Sequence, residues 1–225
     1  MTPTPRAALS RRPAPEDRPR VRKILTLLAK DYPQARCALH HSNPLELLVA
    51  TVLSAQCTDV RVNQVTPALF RAYRMATDYA SAPQSQIETD IRSTGFFRSK
   101  ARSIRGICDA LVRRHDGEVP RTMEELVALP GVGRKTANLV LAEAFGIPGM
   151  VVDTHVGRIS QRLGLTQNRQ ADRIEQDLCK VIPRDEWNSF GLRLIEHGRR
   201  VCKARRPLCD GCSLLPVCPH GISRA

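Results

Sequence analysis

Apolar residues recur every three or four positions along most of the chain after residue 20, a spacing that predicts amphipathic helices. The first helix shows it at Val21, Ile24, Leu25 and Leu28. From Asn43 to Gln56 the chain is apolar nearly all round, which predicts a buried helix that Asn43 caps and Pro44 begins. No long segment alternates apolar and polar residues as a strand does. The pattern therefore predicts an all-α fold.

Further helices are predicted along the rest of the chain, and Thr58 with Asp59 caps the first of them. The others run from Gln84 to Ser93, Lys100 to Arg114, Thr122 to Ala128, Arg134 to Phe145, Val156 to Leu163, Ala171 to Ile182 and Glu186 to Gly198. Thr122 and Glu125 have the spacing of a capping box. Gly146 directly follows Phe145 and supplies a stop for that helix.

A glycine hairpin precedes the predicted helix at Arg134, in the segment Leu129-Pro-Gly-Val-Gly-Arg-Lys135. Gly131 and Gly133 lack a Cβ, so the backbone can turn tightly and approach another molecule closely. The free N–H groups and the positive end of the dipole at a helix start suit a phosphate oxygen. A contact of this kind does not distinguish one base from another. The hairpin is therefore a candidate grip for a nucleic-acid backbone.

Lys135 and Asp153 are candidate reacting groups. Lys135 falls in the first turn of the predicted helix, where the positive dipole end favours the uncharged amine that a nucleophile requires. Asp153 precedes another predicted helix, in Val-Val-Asp-Thr-His. Each also has a plainer interpretation: Lys135 as a solvated surface residue, Asp153 as an N-cap, and His155 as a packed or capping side chain. Taken singly, these motifs leave both interpretations open.

The net charge of the chain indicates which class of molecule it binds. The 225 residues include 35 Lys and Arg against 22 Asp and Glu, and this net charge of +13 favours an extended polyanion. Nucleic acid is the first candidate and an anionic membrane surface the second, although no apolar run reaches the roughly 18 residues of a spanning helix. Residues 1–20 are rich in proline and arginine and lack the apolar core of a secretory signal. We expect a mobile basic tail on a cytoplasmic protein that binds no membrane.

Four of the eight cysteines cluster near the end of the chain, in the pattern C-x6-C-x2-C-x5-C. They are Cys202, Cys209, Cys212 and Cys218. Because disulfides are rare in the cytosol, the cluster predicts a metal centre. The spacing leaves zinc and iron-sulfur open and favours iron-sulfur modestly, since the cluster contains a single close cysteine pair. The scattered cysteines fit small buried apolar side chains and are Cys37, Cys57, Cys108 and Cys179.

The loop between the first two clustered cysteines is basic. It carries Lys203, Arg205 and Arg206. A metal centre would brace this loop, and its positive charges would suit the phosphates of a DNA backbone. A solvated charged loop is the plainer alternative.

Three motifs in order resemble the endonuclease III family of helix-hairpin-helix DNA glycosylases. They are Leu-Pro-Gly-Val-Gly-Arg-Lys-Thr-Ala-Asn (129–138), Val-Asp-Thr-His-Val (152–156) and the four-cysteine pattern. Further similar segments are Leu-Ser-Ala-Gln-Cys-Thr-Asp (53–59), Gly-Phe-Phe-Arg-Ser-Lys-Ala (95–101) and Gly-Glu-Val-Pro (117–120). The resemblance extends from about residue 21 to the end, and three motifs in the correct order are far more specific than any one alone.

The resemblance implies two helical domains with a DNA-binding cleft between them. A six-helix barrel with the helix-hairpin-helix motif would span 37–147, and an iron-sulfur cluster domain would combine 21–36 with 148–225. Lys135 and Asp153 would then face each other across the cleft, and the four clustered cysteines would hold a [4Fe-4S] cluster. The protein would act as a monomer on double-stranded DNA that contains damaged bases or abasic sites, associated with the nucleoid if it is bacterial.

The implied activity is that of a bifunctional DNA glycosylase and abasic-site lyase of base excision repair, which excises oxidised pyrimidines. Lys135 would attack the deoxyribose C1′ and displace the base. Asp153 would stabilise the developing positive charge and help to deprotonate the amine. The resulting Schiff base would permit strand cleavage by β-elimination. Asp59 is a lesser candidate for a supporting carboxylate, with a helix N-cap as its alternative role.

The damaged nucleotide would have to leave the base stack. Gln56 resembles the residue that fills the vacated space. Phe96 falls where the bacterial family commonly has a leucine wedge, so this chain departs from the pattern and its opposite-base preference stays open. Phe97 is the alternative wedge.

Two rival functions remain. An adenine-specific mismatch glycosylase resembles this family but lacks the nucleophilic lysine, and the segment Leu47 to Leu53, where it would place a catalytic glutamate, holds no acid. A non-enzymatic DNA-binding module with a structural metal is the second rival, because helix-hairpin-helix elements also serve as simple phosphate grips.

Overall fold

The computed structural model describes residues 17–223, which form helices and no β-strand. The α-helices are α1 (Asp17–Asp31), α2 (Pro44–Leu53), α3 (Asp59–Ala72), α4 (Ala76–Ser81), α5 (Gln84–Asp90), α6 (Phe97–Arg114), α7 (Met123–Val127), α8 (Arg134–Phe145), α9 (Thr154–Arg162), α10 (Ala171–Val181), α11 (Trp187–Arg200) and α12 (Pro219–Ile222). Short 3-10 helices occur at Arg92–Thr94, Arg184–Glu186 and Leu215–Val217. The all-α prediction is confirmed. Among the described residues, no helix combines the length and apolar character needed to span a bilayer.

The chain divides into two compact units. The central unit spans Cys37–Gly149, and the terminal unit contains the described residues up to Arg36 and from Met150 onward. The predicted boundary after residue 147 falls two residues before the observed one, which follows Gly149. The central unit holds the seven helices α2–α8, of which α4 and α7 span six and five residues.

Helix α2 forms the middle of the core of the central unit. Asn43 caps it by accepting a hydrogen bond at Oδ1 from the Glu46 N–H at 2.9 Å, and Pro44 is its first residue. The predicted extension of this helix to Gln56 is wrong, because α2 ends at Leu53. Gln56 adopts a left-handed conformation with φ 52°, which ends the helical path and brings the chain to the start of α3. Leu47, Leu48 and Leu53 are fully buried, as a central helix requires.

Helix ends elsewhere follow tertiary contacts. The expected mobile tail at 1–20 is wrong for residues 17–20, which belong to α1, and residues 1–16 lie outside the described part. Arg20 anchors this first turn, because its guanidinium donates to the carbonyl of Leu163 at 2.7 Å.

Thr122 caps α7 by accepting from the Glu125 N–H at 3.3 Å, but its hydroxyl also donates to the Glu125 carboxylate at 2.6 Å. The reciprocal bond of a capping box is thus replaced by a contact between side chains.

In the terminal unit, α1, α9 and α11 pack around a shared apolar core. Ile24, Leu28, Val156, Phe190 and Leu194 are buried there. Helices α9 and α11 approach closely at Gly198, where an added Cβ would lie 2.7 Å from Cδ2 of His155. The position therefore requires glycine, and the close packing fixes the start of α9, where Asp153 lies.

Candidate nucleic-acid site and cysteine cavity

The glycine hairpin joins α7 to α8 in the central unit. Leu129 and Val132 are buried and anchor it, while Gly131 and Gly133 are exposed. Gly131 has φ +77°, a conformation that favours glycine, and a Cβ built there would meet only Ser103 of α6, at 3.6 Å. Gly133 is the N-cap of α8 and offers no side-chain acceptor to the first-turn N–H groups. The hairpin thus presents the positive end of α8 at the surface, as an anion grip requires.

Lys135 is exposed in the first turn of α8, next to exposed Arg134. The opposite face of the helix is buried through Ala137, Val140 and Leu141, which fixes the direction in which Lys135 projects. The predicted bounds of this helix are confirmed, including the left-handed stop at Gly146 with φ 65°. Lys135 is therefore accessible to a large substrate, whereas a buried lysine would not be.

Asp153 is the N-cap of α9 in the terminal unit. Its Oδ1 accepts a hydrogen bond from the N–H of Val156 at 2.8 Å, so the N-cap interpretation is confirmed. Its Oδ2 lies 2.9 Å from Nδ1 of His155. The carboxylate is 15% exposed, so it is held at both oxygens yet still reaches the surface. The role as a cap and a role in a reaction are thus compatible. At Asp59 the corresponding cap is Thr58, and Asp59 is the first residue of α3.

A cavity in the central unit brings together Gln56, Phe96 and Gly131, three of the predicted DNA contacts. Gln56 and Phe96 are both non-glycine residues with left-handed backbones, at φ 52° and φ 47°. Such strained conformations concentrate at binding sites. Phe96 is 65% exposed, whereas Phe97 is partly buried and packs against the core. Of the two adjacent rings, Phe96 is the one that is free to enter another molecule.

Sequence reasoning missed Lys100, which lines the same cavity and is only 4% exposed. Its Nζ donates to the carbonyl of Thr94 at 2.7 Å, and burial lowers its pKa below the ordinary value for lysine. A signal was present in the sequence. Lys100 falls on the apolar stripe of α6, four residues before Ile104 and three after Phe97.

The four clustered cysteines line a single cavity in the terminal unit. None forms a disulfide, and the cavity walls also include Ile159, Leu163, Leu208 and Leu214. Three of the sulfurs have polar partners: Cys202 Sγ accepts from the Arg162 guanidinium at 3.1 Å, Cys218 Sγ accepts from the Gly221 N–H at 3.4 Å, and Cys212 Sγ lies 3.7 Å from Nε2 of His197. Within residues 17–223, no three His, Cys, Asp or Glu side chains are grouped as ligands of one metal ion. Four thiols in one largely apolar cavity, with N–H donors to sulfur, nonetheless suit a metal cluster held by thiolates.

The loop after Cys202 exposes Lys203, Arg205 and Arg206, as a contact with DNA phosphates would require. Helix α9 fastens the backbone of this loop. Arg162 donates to the carbonyls of Lys203 at 2.9 Å and Ala204 at 2.7 Å. The charged side chains therefore project from an ordered loop.

The four scattered cysteines pack against the two cores. Cys108 is fully buried, and burial raises its pKa to about 12. Cys37, Cys57 and Cys179 are half-buried, and burial raises the pKa of Cys37 to about 11. The prediction of buried apolar cysteines is thus confirmed fully for Cys108 and in part for the others.

Residues 49–184 match the HhH-GPD superfamily of base excision DNA repair proteins. The chain belongs to this family. Endonuclease III of Synechocystis sp. is 57% identical over 201 residues, which are 89% of this chain and 92% of that protein. Endonuclease III of Bacillus subtilis is 46% identical over 194 residues, 86% of this chain and 89% of that protein.

A solved structure has the same fold. It is that of a trapped endonuclease III–DNA covalent intermediate in an estranged-adenine complex, which matches with a TM-score of 0.87 at 48% identity. The match covers 92% of this chain and 98% of that one. The resemblance stated from the sequence motifs is thereby confirmed, and so is the assignment to DNA repair.

Proposed function

We propose that the protein is a bifunctional DNA glycosylase and abasic-site lyase that excises oxidised pyrimidines from duplex DNA and cleaves the strand by β-elimination. The observation that carries this function is Lys135, exposed in the first turn of α8 directly after a hairpin suited to a phosphate. The similar solved structure is that of an endonuclease III trapped in a covalent intermediate with DNA. A nucleophilic side chain in this chain would form the same kind of adduct.

Lys135 and Asp153 act on the same deoxyribose in the proposed reaction. The Lys135 amine attacks C1′, the bond from C1′ to the base breaks, and the base leaves with the electron pair. Asp153 stabilises the positive charge on the sugar and accepts a proton from the amine. The bond from C1′ to O4′ then breaks, O4′ takes up the proton that Asp153 accepted, and an iminium forms between Nζ and C1′, which acidifies the C2′ proton. Water removes that proton, its electron pair forms a double bond between C2′ and C3′, and the bond from C3′ to its phosphate oxygen breaks, which cleaves the strand.

Phe96 and Gln56 hold the duplex open in this proposal. Extrusion of a nucleotide leaves a gap and an unpaired partner base, which costs a few kcal/mol. Gln56 fills the gap, and the exposed Phe96 ring stacks on the partner base, as apolar wedges do at base steps. The shared cavity of the two residues and the exposure of the ring support these roles.

The four clustered cysteines hold a [4Fe-4S] cluster in this proposal. Their common cavity, its apolar walls and the N–H donors to sulfur support the assignment. When bound, the cluster supplies a rigid covalent brace for the terminal unit. The loop that carries Lys203, Arg205 and Arg206 is then held in the conformation that contacts a DNA backbone.

Borohydride trapping tests the reaction. Protein incubated with a duplex containing an oxidised thymine should form a covalent adduct on reduction, and Lys135→Ala should abolish it. Lys23→Ala, at an exposed lysine of α1, serves as the matched control and should leave the adduct yield intact. An adduct that survives Lys135→Ala overturns the nucleophile assignment. Iron and acid-labile sulfide analysis tests the cluster, and stoichiometric zinc without iron would contradict it.

A further inference from the structure

Lys100 is a buried lysine in the first turn of α6, with 4% of its surface exposed. A buried ammonium group requires hydrogen-bond acceptors, because its lost hydration is costly. Its Nζ donates to the carbonyl oxygen of Thr94 at 2.7 Å. This bond reaches back across the start of α6 to the end of the preceding 3-10 helix, so it joins two segments that the intervening turn separates.

The intervening turn is Gly95-Phe96. Both residues have positive φ: Phe96 is left-handed, with φ 47° and ψ 27°, and Gly95 has φ 69° with ψ 157°, a combination that is essentially restricted to glycine. Thr94 is buried on one side of the turn, and its hydroxyl donates to the carbonyl of Ile91 at 2.8 Å. On the other side, the Lys100 N–H donates to the carbonyl of Phe96 at 3.1 Å. Lys100 therefore bonds to both ends of the turn, through its side chain at one end and its backbone at the other.

The conformation of Phe96 needs such support. A left-handed backbone is unfavourable for a residue with a bulky side chain and persists only where the surroundings determine it. Packing of the side chain contributes little support, because Phe96 is 65% exposed. The direction in which the ring projects is consequently set by the backbone of the turn.

We propose that Lys100 is a positioning residue that closes the Gly95-Phe96 turn and so presents the Phe96 ring to the DNA base stack. This inference rests on the proposed role of Phe96 as the wedge. The effect of Lys100 reaches the substrate through Phe96, so it should matter where extrusion of the lesion leaves an unpaired partner base on which the ring can stack.

The test compares two substrates under single-turnover conditions. One is a duplex with an oxidised thymine, and the other is a single-stranded oligonucleotide with an abasic site, which has no partner base for the ring to stack on. Lys100→Met removes the ammonium group but keeps most of the side-chain volume. The ratio of the duplex rate to the single-strand rate should fall by about tenfold, the effect of losing one hydrogen bond to a charged group. Lys100→Arg keeps a donor and should recover most of that ratio.

A spectroscopic readout follows the wedge directly. With 2-aminopurine opposite the lesion, stacking of the Phe96 ring changes the fluorescence of that base when the protein binds. Lys100→Met and Phe96→Ala should both reduce the change, and the double variant should show no greater loss than the worse single one, because residues that act as a unit are not additive. Gly95→Ala strains the same turn without a steric clash, since no atom lies within 4 Å of the added Cβ, and should reproduce the Lys100→Met result.

The outcomes separate the inference from the function on which it rests. A loss from Phe96→Ala with no change from Lys100→Met or Gly95→Ala overturns the role of Lys100 alone. Equal losses on both substrates also overturn it, because they indicate a general effect on folding, and so do additive losses in the double variant, because they indicate that Lys100 and Phe96 act independently. Phe96→Ala with unchanged ratio and fluorescence overturns the wedge assignment and the inference together, whereas the trapping result for Lys135 stands apart from all of these.

Discussion

Nδ1 of His155 lies 2.9 Å from Oδ2 of Asp153, while Oδ1 of the same carboxylate caps α9 through the Val156 N–H at 2.8 Å. Two residues of one helix turn thus hold both oxygens of the proposed charge-stabilising group. Gly198 of α11 supports this arrangement, because a Cβ at this position would lie 2.7 Å from Cδ2 of His155 and would crowd the ring. A carboxylate oriented before the substrate arrives needs little rearrangement during the reaction.

His155→Ala should slow base excision by about tenfold, because the Asp153 carboxylate loses one of its two holding contacts while its charge remains. Single-turnover excision on a duplex with an oxidised thymine measures this. His40→Ala, at an exposed histidine of the central unit, is the control and should match the unmodified protein. An unchanged rate in His155→Ala would show that the capping bond alone orients Asp153.

Asp153→Asn and Asp153→Ala should separate the two roles of this residue. Asparagine caps helices as well as aspartate does, so Asp153→Asn should preserve the free energy of unfolding, whereas Asp153→Ala should lower it by about 1 kcal/mol. Both should slow base excision by about a hundredfold or more, since neither carries the charge. Urea unfolding and single-turnover rates check the two effects. A fully active Asp153→Asn would remove the carboxylate from the mechanism.

Arg162→Ala should loosen the basic loop and the cysteine cavity. It removes the hydrogen bonds to Cys202 Sγ and to the carbonyls of Lys203 and Ala204. We expect less iron per protein molecule after purification and weaker binding to undamaged duplex. Iron analysis and a salt titration of DNA affinity measure these effects. Arg173→Ala, at an exposed arginine of α10, should change the iron content little, and equal iron in both variants would contradict the proposed bracing.

Gly149→Ala should destabilise the central unit by about 1–3 kcal/mol, the cost of forcing extra volume into a packed site. An added Cβ would lie 2.5 Å from the backbone carbonyl oxygen of Asn138. Gly133→Ala is the matched control, because no atom lies within 4 Å of its Cβ. Its unfolding midpoint should stay close to that of the unmodified protein. Thermal unfolding followed by circular dichroism compares the two, and equal midpoints would refute the clash.

Cys108 should resist alkylation in the folded protein. Burial raises its pKa to about 12, so the reactive thiolate is rare at pH 8 and the sulfur is inaccessible as well. Cys37, with a pKa of about 11, should react slowly but before Cys108. Iodoacetamide labelling followed by mass spectrometry gives the order. Both should react readily in denaturant, and rapid labelling of Cys108 without denaturant would contradict its burial.

Local signals predicted several features well. Helix α8 has the expected bounds, Arg134–Phe145, because a hairpin glycine starts it and Gly146 stops it, and both act through neighbouring residues. The end of α2 and the start of α6 were misplaced for the opposite reason, since α2 ends at Leu53 and not Gln56, and α6 begins at Phe97 and not Lys100. Gln56 and Phe96 end regular structure with left-handed backbones, which their residue types disfavour and which only the surrounding fold imposes.

The sequence by itself determined the all-α class, the hairpin before Lys135, the clustered cysteines and the positive charge that suits DNA, because each depends on periodicity, spacing or composition. The tertiary structure decided that Phe96 is exposed and Phe97 packed, that Lys100 is buried beneath their turn, and that His155 holds Asp153. Phe96 and Phe97 are adjacent residues of the same type, so the local sequence does not indicate which of them is exposed. Packing and hydrogen bonding between separate segments distinguish the two residues, and those contacts exist only in the folded chain.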